Sequence, residues 1–133
     1  MNYNELSEKK QIKLVSKNVY NFKFIKSPSE AVQLAAVTRD GYTIEFIKNP
    51  SEAVKLAAVQ SFGMAIRYID NPSEEIQLAA VRRNGWAIRF IKNPSEIIQF
   101  AAVQHHPNVV SSIIDPSDEL IAYASLLKLG GNT

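Results

Sequence analysis

The sequence lacks cysteine, a strong excess of charge of either sign and any long hydrophobic run. Because its 133 residues include no cysteine, a disulfide scaffold, a thiolate zinc site and a cysteine nucleophile are excluded. The 15 basic and 13 acidic residues leave a net charge of +2. This balance argues against a polycationic, histone-like binder but allows a local basic stripe.

Signals for secretion and membrane insertion are also missing. Residues 1–10 are polar and contain no apolar stretch of the kind found in a signal peptide. No run approaches the ~18 apolar residues of a membrane span. We therefore expect a soluble, cytoplasmic protein that does not enter a membrane. With 46% apolar residues, the chain is long enough to form one domain and to bury roughly two-thirds of its unfolded surface.

The sequence motifs of common enzyme classes are absent as well. There is no GxSxG, no GxGxxG, no P-loop and no HExxH. Acidic residues occur chiefly at predicted helix starts, which explains their spacing without a catalytic carboxylate pair. We therefore predict no catalytic residue, no enzymatic activity, no cofactor and no metal site.

What the sequence does contain is a repeat of 22 residues. A proline-serine pair, an Ala-Ala pair, a glycine and an isoleucine all recur at this spacing. The proline of the pair is found at Pro28, Pro50, Pro72, Pro94 and Pro116. We divide one domain into repeats 6–27, 28–49, 50–71, 72–93 and 94–115, followed by a capping segment over 116–133.

Each repeat is predicted to contain a longer helix and a second, short one. Asn49 is the predicted N-cap, with Pro50 at the first helical position and Glu52 completing a capping box. Gly63 is expected to end the helix in the left-handed conformation. The longer helix then spans about 50–62 in this repeat, and the short helix or 3₁₀ segment spans 64–69. The lack of alternation between polar and apolar residues argues against strands.

The apolar positions predict how the repeats pack. The longer helix is apolar around most of its circumference, as expected for a helix between two neighbours. We call the equivalent positions of successive repeats a column. The column of Gln33, which also contains Gln11, Lys55, Gln77 and Gln99, should face water. In the short element, Ile44, Phe46 and Ile47 should point inward. Because no repeat can bury its own apolar face, we predict an all-α fold, an α-solenoid of five helix-turn-short-helix repeats with a terminal capping helix. Both ends are expected to be polar caps.

The repeated motif itself resembles a known group of sequences. It reads Asn-Pro-Ser-Glu-x-Val/Ile-Gln/Lys-Leu-Ala-Ala-Val, then Gly-aromatic-Ala-Ile-Arg-Phe-Ile, and covers about Leu6 to Asp115. It resembles short tandem helical repeats of uncharacterised bacterial and bacteriophage proteins, and HEAT-like and variant leucine-rich α-solenoids. The resemblance implies macromolecular binding, mostly of proteins and sometimes of DNA backbones, as in HEAT-type alkylpurine glycosylases. It also implies a bacterial or phage-infected host cell, and a phage-encoded inhibitor of a host or defence protein.

Exposed positions that vary between repeats are the candidates for binding, and they form two ridges. The first is the end of the longer helix, at 38–40, 60–62, 82–84 and 104–106. The second is the outward side of the short helix, where basic residues predominate over Glu45 and Asp70. Its basic members are Lys23, Lys26, Lys48, Arg67, Arg89 and Lys92. The glutamates at the helix starts should form an acidic edge elsewhere.

Two aromatic residues and the histidine pair have alternative interpretations. Phe62 stands in a polar column, so it either contacts a partner or packs within the chain. Trp86 lies in an aromatic or methionine column that either seals each repeat or faces a partner. His105 and His106 should diverge by about 100° on a helix, which disfavours a shared metal and favours a helix-terminus role over zinc or acid-base chemistry.

The predicted function is therefore binding of a protein partner along one ridge, by a monomer or weak homodimer. The alternative is sequence-independent binding of a nucleic-acid backbone by the basic ridge. The candidate partner-binding residues are Phe62, Arg67, Arg82, Arg83, Trp86, Arg89 and His105.

Overall fold

The computed structural model describes residues 1–131, and within that range α-helices alternate with 3₁₀ helices and no strand occurs. The α-helices are α1 (Glu8–Lys17), α2 (Glu30–Arg39), α3 (Glu52–Ser61), α4 (Glu74–Arg83), α5 (Glu96–His105) and α6 (Asp118–Gly130). The 3₁₀ helices are η1 (Tyr3–Glu5), η2 (Val19–Phe24), η3 (Gly41–Phe46), η4 (Gly63–Tyr68), η5 (Gly85–Phe90) and η6 (Pro107–Ser112). The predicted all-α solenoid is confirmed, while the last two residues of the predicted capping segment 116–133 lie outside the described residues.

The helices form a two-layered stack in which neighbours in sequence are neighbours in space. Each α-helix packs on the next α-helix, η3 packs on η4, and η4 packs on η5. Each α-helix from α2 to α5 also contacts the 3₁₀ helix before it and the one after it. We call the two halves of the stack the α layer and the η layer. Among the helices of residues 1–131, none combines the length and the hydropathy that a bilayer-spanning helix requires.

The same positions are buried in every internal repeat. In the third repeat, Val54, Ala58 and Val59 of α3 have no exposed surface, and Ile66 and Ile69 join them from the η layer. Their equivalents in the neighbouring repeats belong to the same continuous core. Because each repeat covers the apolar side of the next, burial in one repeat depends on the repeats beside it.

The α-helices begin two residues later than the sequence indicates. Ser51, not Asn49, is the N-cap of α3, and its Oγ accepts a hydrogen bond of 3.2 Å from the backbone N–H of Val54. Asn49 instead has a φ of 50°, a left-handed conformation that asparagine tolerates better than most residues. The prediction of an Asn49 cap and a capping box was wrong. Glu52 remains in the first turn, where it meets the positive end of the helix dipole.

The recurrent glycine serves close packing rather than helix termination. No described glycine has a positive φ, so the prediction of a left-handed Gly63 was wrong. A Cβ built on Gly63 would lie 2.6 Å from the backbone oxygen of Ala80 in the next repeat. The absence of a side chain therefore lets η4 approach the last turn of α4.

Two predicted orientations also differ in the structure. Ile44 and Ile47 are buried, but Phe46 is 70% exposed, because three residues make one turn of a 3₁₀ helix and only every third side chain shares a face. The column of Gln33 does not face water freely. Its Nε2 donates to the backbone oxygen of Pro28 at 3.0 Å, and Gln77 bonds to Pro72 in the same way.

The two ends of the stack are finished differently. At the N-terminal end, η1 closes the η layer, because the Asn4 side chain accepts from the Lys26 N–H at 2.7 Å and Tyr3 stacks on Phe24. The first helix is polar, as predicted. The expectation of a polar C-terminal cap was wrong, since exposed apolar side chains gather there. They are Ile114, Ile121, Leu126 and Leu129.

Candidate interaction surface

The outer side of the η layer, which we call the η face, carries two columns of side chains. Because residues i and i+3 of a 3₁₀ helix lie on the same side, a large side chain and a charged one share that side in each of four successive 3₁₀ helices. These pairs are Tyr20 with Lys23, Tyr42 with Glu45, Met64 with Arg67, and Trp86 with Arg89. Trp86 is half-buried, whereas Tyr20 is 75% exposed.

A third column of aromatic rings lies beside the charged column. It comprises Phe24, Phe46, Tyr68 and Phe90, and Phe46 is the most exposed of them. The guanidinium carbon of Arg67 lies 5.3 Å from the ring centres of both Tyr68 and Phe90. The Lys23 ammonium lies 5.1 Å from the Phe24 ring in the same fashion. These cation–π contacts hold basic groups over aromatic rings that remain accessible.

Similar clefts recur between adjacent repeats at the edge of the η face. One of about 450 Å³ is lined by Lys23, Lys26 and Phe46, among others. The equivalent cleft two repeats later has a volume of about 590 Å³ and is lined by Arg67 and Phe90 in the corresponding places. Each of these two clefts therefore offers an apolar wall and cationic groups, a combination suited to a partner with acidic and apolar side chains.

Phe62 lies at the rim of the η face and packs within the chain as well. Its ring centre is 4.7 Å from that of Tyr42, yet 44% of Phe62 stays exposed. At the equivalent positions, Asp40 and Asn84 accept hydrogen bonds from the first turn of the following 3₁₀ helix. Phe62 has no such side-chain cap. The chain thus gives up a hydrogen bond here in exchange for a partly exposed ring.

The structure brings together only some of the predicted residues. Arg67, Trp86 and Arg89 share the η face, with Phe62 at its rim. Arg82, by contrast, lines a cleft on the outer side of the α layer with Ile97 and Phe100. The Nε of Arg83 donates to the backbone oxygen of Gln60 at 3.0 Å, which ties α4 to α3.

The histidine pair lies at the end of α5, and the two rings converge. The Nδ1 atoms of His105 and His106 are 2.8 Å apart, and each lies 3.2 Å from the backbone nitrogen of Gly85. The predicted divergence was wrong because His106 is an extended C-cap rather than a helical residue. Burial, and to a lesser degree the charge of His105, lower the pKa of His106. No group of three or more metal-ligating side chains occurs in residues 1–131.

Sequence reasoning missed the exposed third column. Phe46 was placed in the core, although the last repeat carries Ser112 at the same position. A polar residue in one repeat is a signal for an exposed column, but it does not decide the matter, because the column of Ala65 and Ala87 is buried although it contains Thr43.

Comparison of the chain with protein-family models, with curated proteins and with solved structures finds no match. The class of the protein therefore comes from its own architecture. It is an α-helical repeat protein whose units stack in sequence order as a solenoid.

Proposed function

We propose that the protein is a non-enzymatic interaction module that binds a protein partner across the η face. The observation that carries the proposal is the row of large side chains left exposed in the middle of the stack, with Phe46 at 70% and Phe90 at 40% exposure. Ser112 at the same position of the last repeat indicates that stacking does not need an aromatic ring there. Exposed apolar side chains in such a row are typical of interaction surfaces.

The arrangement of the face supports tight binding by a few anchors. Trp86 is half-buried, and Arg67 is held between two rings, so neither side chain loses much freedom when a partner binds. Tryptophan, tyrosine and arginine dominate the energetics of protein interfaces. A partner surface with acidic groups beside apolar ones fits this pattern.

Two acidic residues favour a protein partner over a nucleic acid. Glu45 stands between Lys23 and Arg67 in the charged column, and Asp70 interrupts the column that contains Lys48 and Lys92. A groove that follows a phosphate backbone needs unbroken positive charge, whereas a protein partner can match an acidic group with a basic one.

The finer features of the proposal rest on the sequence resemblance. We propose that the protein is related to HEAT-like repeat proteins, that it comes from a bacterium or a bacteriophage, and that it is located in the cytoplasm. In that setting, a compact module of this kind acts by covering a functional surface of its partner, as an inhibitor of a host or defence protein does.

The test compares two variants built only from residues that the repeat already contains. The η-face variant combines Phe46→Ser, Phe90→Ser, Arg67→Ser and Arg89→Ser, which copy Ser111 and Ser112 of the last repeat. We expect its affinity for the partner to fall at least ~100-fold, because aromatic and arginine anchors are lost. Partners captured from lysate by the wild type are identified by mass spectrometry and measured by titration calorimetry.

The matched control changes the outer side of the α layer. Ile97→Ala and Arg82→Gln copy the alanine and glutamine found in other repeats at those positions, and the pair should leave affinity unchanged. Nuclease treatment should not release the partner. Equal affinities of the η-face and wild-type proteins would remove the η face from consideration.

The predominance of basic side chains beside aromatic rings makes nucleic-acid binding the second candidate. Bases stack on aromatic side chains in single-strand binding proteins. Fluorescence anisotropy with single-stranded DNA and RNA then decides between the two. If six phosphate contacts form, affinity should fall roughly 10³-fold between 50 and 200 mM salt, and a flat response or no binding rejects this candidate.

A further inference from the structure

Within residues 1–131, the C-terminal end of the stack is a stacking surface that no further helix covers. Val37, Val59, Val81 and Val103 occupy one position of α2 to α5 and have no exposed surface. The same position of α6 is Ser125, and it is exposed. The side of α6 that corresponds to the covered side of every earlier helix therefore faces outward in the described part of the chain.

The residues around Ser125 are more apolar than their equivalents, not less. Ile121, which is 44% exposed, stands where Gln33, Gln77 and Gln99 occur in earlier repeats. Ile114, at 93% exposure, stands in the column of Lys26, Lys48 and Lys92. Lys26 and Gln33 line the cleft between the first two repeats, so Ile114 and Ile121 form the corresponding half-cleft at the end of the stack. We call Ile114, Ile121, Ser125, Leu126 and Leu129 the end face.

We infer that the end face binds the end face of a second copy of this chain, so that two stacks join tail to tail with their α6 helices antiparallel. Continuity with the stacking interface supports this occupant, because a second α6 takes the place that a further repeat occupies elsewhere. The inference does not rest on the function proposed above.

The charges along α6 fit the antiparallel arrangement. Asp118 and Glu119 lie in its first turn and Lys128 in its last turn. Pairing about a two-fold axis between residues 123 and 124 places Asp118 of each copy, which lies on the same side of α6 as Ser125, near Lys128 of the other. The small side chains of Ala122 and Ser125 then meet at the centre, where they allow close approach.

Head-to-tail growth is disfavoured by the opposite end of the stack. Lys17 occupies the position at which Ser61 and Arg83 reach back to the preceding repeat, so the outer side of α1 presents lysines where an apolar end face would have to dock. Burying an ammonium group against isoleucine and leucine is strongly unfavourable. A two-fold, closed dimer follows rather than a filament.

Sedimentation velocity of the full chain over a concentration series tests the inference. The triple variant Ile114→Lys, Ile121→Gln and Leu126→Gln restores residues that the repeat uses at these positions. We expect a reversible wild-type dimer and a dissociation constant at least ~100-fold higher in the variant. Its circular dichroism should match that of the wild type.

A charge swap gives an independent arm that leaves the apolar residues intact. Lys128→Glu should weaken the dimer, and Asp118→Lys combined with Lys128→Glu should restore it. The control Lys13→Gln, on the first helix, should change nothing. A wild type that stays monomeric, a triple variant that dimerises like the wild type, or growth beyond the dimer each overturns the inference.

Discussion

Ala80→Asp should prevent the protein from folding or lower its free energy of unfolding by at least ~4 kcal/mol. Ala80 has no exposed surface, and its backbone oxygen is the atom nearest to the Cβ position of Gly63 in the preceding repeat. A carboxylate there has neither room nor water, and no cationic side chain is buried among residues 1–131. The measurement is denaturant unfolding followed by circular dichroism.

Two other alanines supply graded controls for this prediction. Ala79, the neighbour of Ala80, is only half-buried, and Ala53 in the first turn of α3 is exposed. Ala79→Asp should therefore destabilise less than Ala80→Asp. Ala53→Asp should change stability by no more than about 0.5 kcal/mol, because the added charge meets solvent and the positive helix end. Equal losses at Ala79 and Ala80 would contradict the packing described here.

Gly63→Ala should lower the free energy of unfolding by about 3 kcal/mol, although alanine is otherwise the better helix former. The new Cβ would lie 2.6 Å from the Ala80 backbone oxygen and 3.1 Å from the Asn84 Cβ. Since the nearest atom is backbone, relief requires that neighbouring repeats move apart. Thermal and denaturant unfolding of the variant measure the loss.

The contrasting control is the glycine near the end of α6. A Cβ on Gly130 would meet nothing within 4 Å, so Gly130→Ala should stabilise the protein slightly, by roughly 0.5–1 kcal/mol. The diagnostic result is a fall in the free energy of unfolding for Gly63→Ala and a rise for Gly130→Ala. If both substitutions stabilise the protein, conformational freedom rather than close packing explains the recurrent glycine.

The period of the sequence was enough to predict a stack of repeats, and the lack of alternation between polar and apolar residues was enough to predict that the repeats are helical. The roles of individual residues within the period were harder to assign. Asparagine before proline serves equally well as an N-cap or as a left-handed residue, and the structure chooses the second at Asn49. Glycine likewise permits either a left-handed turn or a close approach, and Gly63 makes the close approach. Residue type alone does not separate such alternatives.

The candidate surface was also predictable only in part, because the repeat shows which residues share a column but not which way each column faces. Arg67, Trp86 and Arg89 were identified from their columns, and the 3₁₀ geometry brings those columns onto one face. Phe46 was misplaced because an apolar ring in a helical pattern is assigned to the core by default. Pro107 predicted that the helix ends at His106, and the structure agrees. The convergence of His105 and His106 was missed because the spacing of about 100° between helical residues was applied to His106, which is an extended C-cap.

Removal of one whole repeat is the most direct measurement of the stacking account. Deleting 72–93 joins Asn71 to Pro94 and keeps the Asn-Pro-Ser-Glu junction intact. We expect the shortened chain to keep its helical content per residue by circular dichroism and to unfold cooperatively. Deleting only 72–82 removes half a repeat and should leave the chain largely unfolded. The account would be contradicted if the two deletions lost helical structure equally.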